Sequence, residues 1–323
     1  MDDRRSRKKW KNTKIEAGES HAMMAKGSWV LYLFLLPATV VTFLFAYLPM
    51  FSNYIAFLDY DFNNGWFGFA SPFVGFAHFR NFLTDPRFHA LLWRTLLFSV
   101  AIMAATFPVP LVLALMLNEL RNKKFMRSVQ TISYIPHFVS WVTVGGLVYL
   151  FLSVDRTGLV NNLVQIINPE AQRTAFMHDA SNFLPMLILT EIWKSAGWGT
   201  ILYFAALTTI DPGQYEAAEI DGAGRWKRLI HVTFPGLVPT FCILLIFSLG
   251  GLFATNFDQV FNLQNQMIRL DTDTVQVFTF YQGIQGRQYS YAAAVGLFQG
   301  LIAFILLMTT NAFTKKASNV GII

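Results

Sequence analysis

The 323 residues are 54% hydrophobic and only 14% charged, with a mean hydropathy of +0.41. A soluble globular chain carries roughly 25% charged residues, so this composition excludes an ordinary soluble domain and makes lipid the main solvent. The formal net charge of +6 does not indicate nucleic acid, because the basic residues lie in short clusters between apolar runs, the way membrane topology is encoded. The single cysteine, Cys242, excludes an internal disulfide framework or cysteine metal site.

In chain order, a basic tail (1–26) precedes an uncharged run from Gly27 to Leu58. That run is too long for the apolar core of a signal peptide and reads as a retained first span. A helix needs about 20 apolar residues to cross the hydrocarbon core. Six spans are expected: Trp29–Phe57, Leu91–Asn118, Ile132–Ser153, Asn182–Leu207, Val238–Phe261 and Ala292–Phe313. They build an all-α membrane domain over 27–317, with a short C-terminal tail (318–323). Pro37, Pro49, Pro108, Pro110, Pro136 and Pro185 fall inside spans. Neighbouring helices must then satisfy the freed carbonyls, so the spans should pack as a bundle.

Placing the N-terminus in the cytoplasm puts seventeen Lys and Arg inside and seven outside, counting Arg94 at the outer end of the second span, and leaves Lys194 in the middle of the fourth. By the positive-inside rule both termini are expected in the cytoplasm. The outer loops, about 58–90, 154–181 and 262–290, are long, and the first is rich in aromatic residues.

Between spans four and five lies a cytoplasmic loop, 211–235. Asp211 followed by Pro212 is a helix start. The helix should end near Asp221, with Gly222 and Gly224 turning the chain before a second amphipathic stretch reaches Pro235. Glu216-Ala217-Ala218, then Gly222, then Val232, Phe234 and Pro235 resemble the "EAA…G…I-L-P" loop of ABC importer permeases, with Val232 and Phe234 in place of Ile and Leu. Trp193-Lys194-Ser195-Ala196-Gly197-Trp198-Gly199 resembles the "WK-x-x-GW" segment of sugar-type permeases. Asn256–Phe261 and Gln288–Phe298 are similar to segments around the last two helices of the oligosaccharide and polysaccharide branch. The resemblance covers most of residues 28–315 and is strongest to the larger permease of bacterial alginate importers.

That resemblance implies a type I permease fold in the bacterial inner membrane and a loop that docks into a cleft on an ATP-hydrolysing subunit. It implies as partners two ATPase subunits carrying ATP and Mg, a second and different permease, and a periplasmic substrate-binding protein. The residues themselves agree with it: Ala217, Ala218 and Gly222 are small enough for close entry into a protein groove.

An ionisable side chain inside a span costs at least ~2.5–3.5 kcal/mol and faces a partner or a water-filled path. Glu191 and Lys194, three residues apart, can pair with each other. The alternative is that Lys194 faces the translocation cavity and meets an anionic substrate group. Trp193 and Trp198 are either stacking platforms for sugar rings or interfacial anchors. Asn256, Asp258 and Gln259 either hydrogen-bond sugar hydroxyls or form a solvated helix end. His137, beside Pro136, reads as a packing residue.

No P-loop occurs, because Asp221-Gly-Ala-Gly-Arg lacks the Gly-Lys-Ser/Thr ending. Neither His-Glu-x-x-His nor Gly-x-Ser-x-Gly occurs. The chain is thus expected to be no enzyme, to have no catalytic or metal residues, and to bind no cofactor itself. An ion-coupled secondary transporter would need paired broken repeats and a chain of intramembrane carboxylates, and only Glu191 lies firmly inside a span. A membrane-bound transferase would need paired carboxylates or metal ligands near the interface; Asp271 and Asp273 lie in an outer loop, but two acidic residues near a helix start are commonplace. The expected cargo is an acidic, alginate-like oligo- or polysaccharide, with a neutral oligosaccharide as the alternative.

Overall fold

The computed structural model describes residues 29, 32–64, 68, 70–252 and 257–318. The basic tail 1–26, Asn256 and the end of the C-terminal tail lie outside the described residues. The chain divides into two units, Met1–Phe73 and Val74–Ile323.

The first unit contains α1 (Tyr32–Phe57), a 26-residue apolar helix long enough to cross a membrane. It contains a π turn at Phe43–Tyr47. The chain then doubles back, with Leu58 bridged antiparallel to Phe73 and the Asp59 N–H donating to the Pro72 carbonyl at 2.8 Å.

The second unit contains the remaining spans. After α2 (Ala77–Leu83), α3 (Phe88–Asn118) runs 31 residues. It stays continuous because Pro108 and Pro110 sit at the start of its second half, where a missing N–H matters least. Next come α4 (Lys123–Tyr134), capped by the Asn122 side chain, and α5 (Trp141–Leu152), capped by Ser140. The helical stretch Lys123–Phe138 meets Trp141–Leu152 at 99°. The expected third span is therefore broken at Pro136, which cannot donate and forces a short tight turn, Ile135–Phe138. The segment that follows contains α6 (Leu159–Ile167). There Thr157, Ser153 and Tyr149 donate to Asp155 and hold its carboxyl down at about 2.

α7 (Phe183–Leu207) follows, then α8 (Pro212–Ile220), α9 (Arg225–Gly250), α10 (Phe257–Leu263), α11 (Val275–Phe280) and α12 (Tyr289–Ser318). The 25 residues of α7 extend about 37 Å, enough to cross a ~30 Å core, although Glu191 and Lys194 dilute its hydropathy. The expected fifth span, Val238–Phe261, is corrected: the helix already starts at Arg225, ends at Gly250, and passes straight through Pro235 and Pro239. A π turn at Leu229–Thr233 widens the helix just ahead of these prolines, which relieves the clash of a proline ring with the preceding turn.

Two apolar cores fix the helix directions. Phe98 and Ile102 of α3 cluster with Phe183, Met186 and Leu187 of α7. Further along both helices, Leu111 and Ala114 cluster with Tyr203 and Leu207. The two helices therefore run parallel, and the chain between them must recross the bundle. The bent α4–α5 pair makes that crossing, which counts it as a span. Among the described residues α1, α3, α9 and α12 are long and apolar enough to cross a membrane, the bent pair makes five, and the length of α7 allows the expected sixth.

Candidate functional site

The loop 211–235 folds as its residue types dictate. The Asp211 carboxylate accepts the Gly213 N–H at 2.9 Å and caps α8, with Pro212 in its first turn. At the other end, the Ala223 N–H donates to the Ala218 carbonyl at 2.8 Å and the Gly222 N–H to the Glu219 carbonyl at 3.0 Å. This paired closure needs a left-handed residue, and Gly222 supplies it with φ +76°. A Cβ at Gly222 would meet nothing within 4 Å. Glu216 and Ala217 are exposed, Ala218 is half-buried, and Glu216 has no partner among the described residues. Ile220, not singled out from sequence, is 87% exposed at the tip of α8. Val232 is half-buried, whereas Phe234 and Pro235 are exposed where α9 leaves the loop. α8 is thus a short helix of mixed polar and small residues, capped at its start and open at its tip.

The Trp193–Gly199 segment sits midway along α7, against the break between α4 and α5. Lys194 is not paired with Glu191. Its Nζ donates to the carbonyls of His137 and Val139, at 2.6 Å each, and lies 5.5 Å from the Trp141 ring centroid. A helix break frees backbone carbonyls from their usual partners, and one ammonium satisfies two of them here. Trp198 stacks on His137 at 4.5 Å between centroids and 3° between planes, so the same break is clasped from two positions. Gly197 is required here because a Cβ would lie 2.0 Å from the Ser133 carbonyl oxygen, and one on Gly199 would lie 2.7 Å from the Pro110 ring. Gly197→Ala is expected to force α4 and α7 apart and destabilise by about 1–3 kcal/mol, measured as a lower melting temperature. Gly146→Ala, where nothing lies within 4 Å, is the neutral control.

The remaining candidates separate. Trp193 points away from Trp198, since five residues turn an α-helix by about 140°. It lines an apolar cleft of about 270 Å³ with Leu147, Phe151 and Thr190. Gln259 is fully buried and donates to the Leu187 carbonyl at 2.7 Å and to Thr190 Oγ1 at 2.9 Å, tying α10 to α7. Asp258 is exposed on α10. Glu191 accepts a hydrogen bond from Ser195 Oγ and faces a cavity of about 180 Å³ shared with Ser99, Thr106 and Ser248 from α3 and α9. These hydroxyls were missed because each is a lone serine or threonine in its own apolar run. Among the described residues no group of His, Cys, Asp and Glu is arranged to hold a metal ion.

Comparison with known proteins agrees with this architecture. Residues 106–316 match the family described as binding-protein-dependent transport system inner membrane component. Protein LplB of Bacillus subtilis (strain 168) is 40% identical over 95% of this chain and 96% of its own. The polygalacturonan/rhamnogalacturonan transport system permease protein YteP of the same organism is 40% identical over 90% of this chain and 89% of its own. Among solved structures, the chain is similar to a bacterial ABC transporter involved in import of the acidic polysaccharide alginate, at TM-score 0.80 and 34% identity over 91% of this chain and 97% of that one. The same transporter bound to its alginate pentasaccharide-loaded periplasmic protein gives TM-score 0.81 and 34% identity over 92% and 98%. The chain belongs to the inner membrane components of binding-protein-dependent transport systems, and is a permease subunit of the type I ABC fold, a transport protein rather than an enzyme.

Proposed function

We propose that this permease is one half of a heterodimer that moves acidic oligosaccharide from periplasm to cytoplasm by alternating access. Both termini and the loop 211–235 lie on the cytoplasmic side. Two ATPase subunits, carrying ATP and Mg, receive α8 through Glu216, Ala217, Ala218 and Gly222, while Val232, Phe234 and Pro235 pass its movement into α9. A periplasmic binding protein delivers the sugar at the opposite end. The observation that carries this reading is α8 itself, a capped helix with an open tip and, among the described residues, no partner for Glu216. Acidic cargo is supported by the similarity to alginate and polygalacturonan transporters.

A neutral oligosaccharide is the second reading. It is favoured by the Glu191 carboxyl in the 180 Å³ cavity and by the engagement of the Lys194 ammonium with backbone carbonyls. Affinity purification of the tagged permease from its own membranes tests the assembly. Stoichiometric recovery of an ATPase and a second permease is expected. Recovery of the chain alone, with uptake driven by an ion gradient, would replace this reading with a secondary transporter.

A further inference from the structure

A second cavity, of about 340 Å³, lies where α3 and α7 end and α9 begins, beneath the loop 211–235. Its wall includes Asn118 and Glu119 from the end of α3, and Tyr215, Arg225, Arg228 and Thr233 from the loop side. Arg228 gives one Nη to Glu219 at 3.0 Å and keeps its other donors. The Arg225 guanidinium and the Glu119 carboxylate have no partner among the described residues. The Tyr215 and Thr233 hydroxyls, 3.0 Å apart, bond each other. The cavity thus presents guanidinium donors to an anion and an acceptor carboxylate to a hydroxyl or ammonium.

Its depth is that of a lipid head group. Three membrane-crossing helices begin or end around it, and Trp226, flanked by Arg225 and Lys227, is 71% exposed. An aromatic ring between cations at a span end belongs at the membrane–water interface. Arg121, Lys123, Lys124 and Arg127, around the start of α4, add to the positive field at this end of the bundle. Basic pockets between membrane helices suit phospholipid head groups.

We propose that this cavity binds the phosphodiester of a phospholipid head group, with Arg225 and Arg228 on the phosphate and Glu119 accepting from the head-group alcohol. Phosphatidylglycerol meets both demands. Phosphatidylcholine has the phosphate but no donor for Glu119. The bound lipid ties the base of the loop 211–235 to the membrane surface.

The test is native mass spectrometry of the assembled importer after exchange into mixed phosphatidylglycerol and phosphatidylcholine, followed by partial delipidation. The wild type retains phosphatidylglycerol over phosphatidylcholine by about tenfold. Arg225→Ala with Arg228→Ala loses that lipid, and Glu119→Gln loses the preference while keeping phospholipid bound. Arg225→Ala alone removes no side-chain hydrogen bond or ion pair among the described residues and gives the same comparison should the double variant fold poorly. Equal retention by wild type and either arginine variant overturns the proposal. Displacement of the lipid by millimolar inorganic phosphate overturns the lipid as the source and assigns the cavity to a free anion.

Discussion

Lys194→Met is expected to lower the melting temperature of the purified permease by about 5–10 °C while leaving the volume of the side chain nearly unchanged. The ammonium satisfies the His137 and Val139 carbonyls at the 99° break between Lys123–Phe138 and Trp141–Leu152. Methionine leaves both without a donor where water is scarce, and each buried unsatisfied carbonyl costs about 1–3 kcal/mol. The break also holds Gly197 against the Ser133 backbone and Trp198 against His137, so loosening it disturbs α4, α5 and α7 together. Lys194→Arg, which keeps the charge, is expected to recover part of the loss. An unchanged melting temperature with a raised substrate requirement for uptake would instead put Lys194 on the cargo.

Glu216→Lys and Gly222→Trp are each expected to reduce uptake at least about tenfold, equivalent to ~1.4 kcal/mol of lost coupling, while ATP hydrolysis continues. Neither change breaks a side-chain contact among the described residues. Glu216 has no partner among the described residues. A Cβ at position 222 meets nothing within 4 Å, and the left-handed φ of +76° costs a non-glycine residue about 1–2 kcal/mol, which a multi-span membrane protein tolerates. The damage therefore falls on whatever receives α8. Gly222→Ala separates the two effects: it carries the backbone strain without the bulk and retains most uptake. Full uptake in both Glu216→Lys and Gly222→Trp would remove α8 from the coupling interface.

Much of this was legible in the chain. Uncharged runs of sufficient length announce five spans directly, and Asp211, Pro212 and Gly222 announce α8 with both of its ends. The Glu-Ala-Ala triplet gains meaning from those caps and from its place between two spans. Other features were not legible, for physical reasons. Helical spacing shows that Glu191 and Lys194 share a face, but not that Lys194 has better partners more than fifty residues earlier in the chain. The same limit hid the role of Gly197, whose neighbour Ser133 lies on another helix. Pro235 and Pro239 suggested a helix start, whereas the π turn at Leu229–Thr233 lets α9 run through them. Gln259, polar at a span end, reads in sequence either as a sugar ligand or as part of a solvated helix end. Its burial and its bonds to Leu187 and Thr190 give it a packing role that only the fold reveals.

The most direct test of the importer reading is ATP hydrolysis by the complete complex in proteoliposomes, with its binding protein, in the presence of oligouronates or of neutral oligosaccharides of equal length. The account predicts stimulation by oligouronates and little by neutral sugars. Stimulation by neutral sugars alone would contradict the acidic cargo and move attention to Glu191 and its cavity. An ATPase rate indifferent to every oligosaccharide would contradict the assignment to sugar import itself.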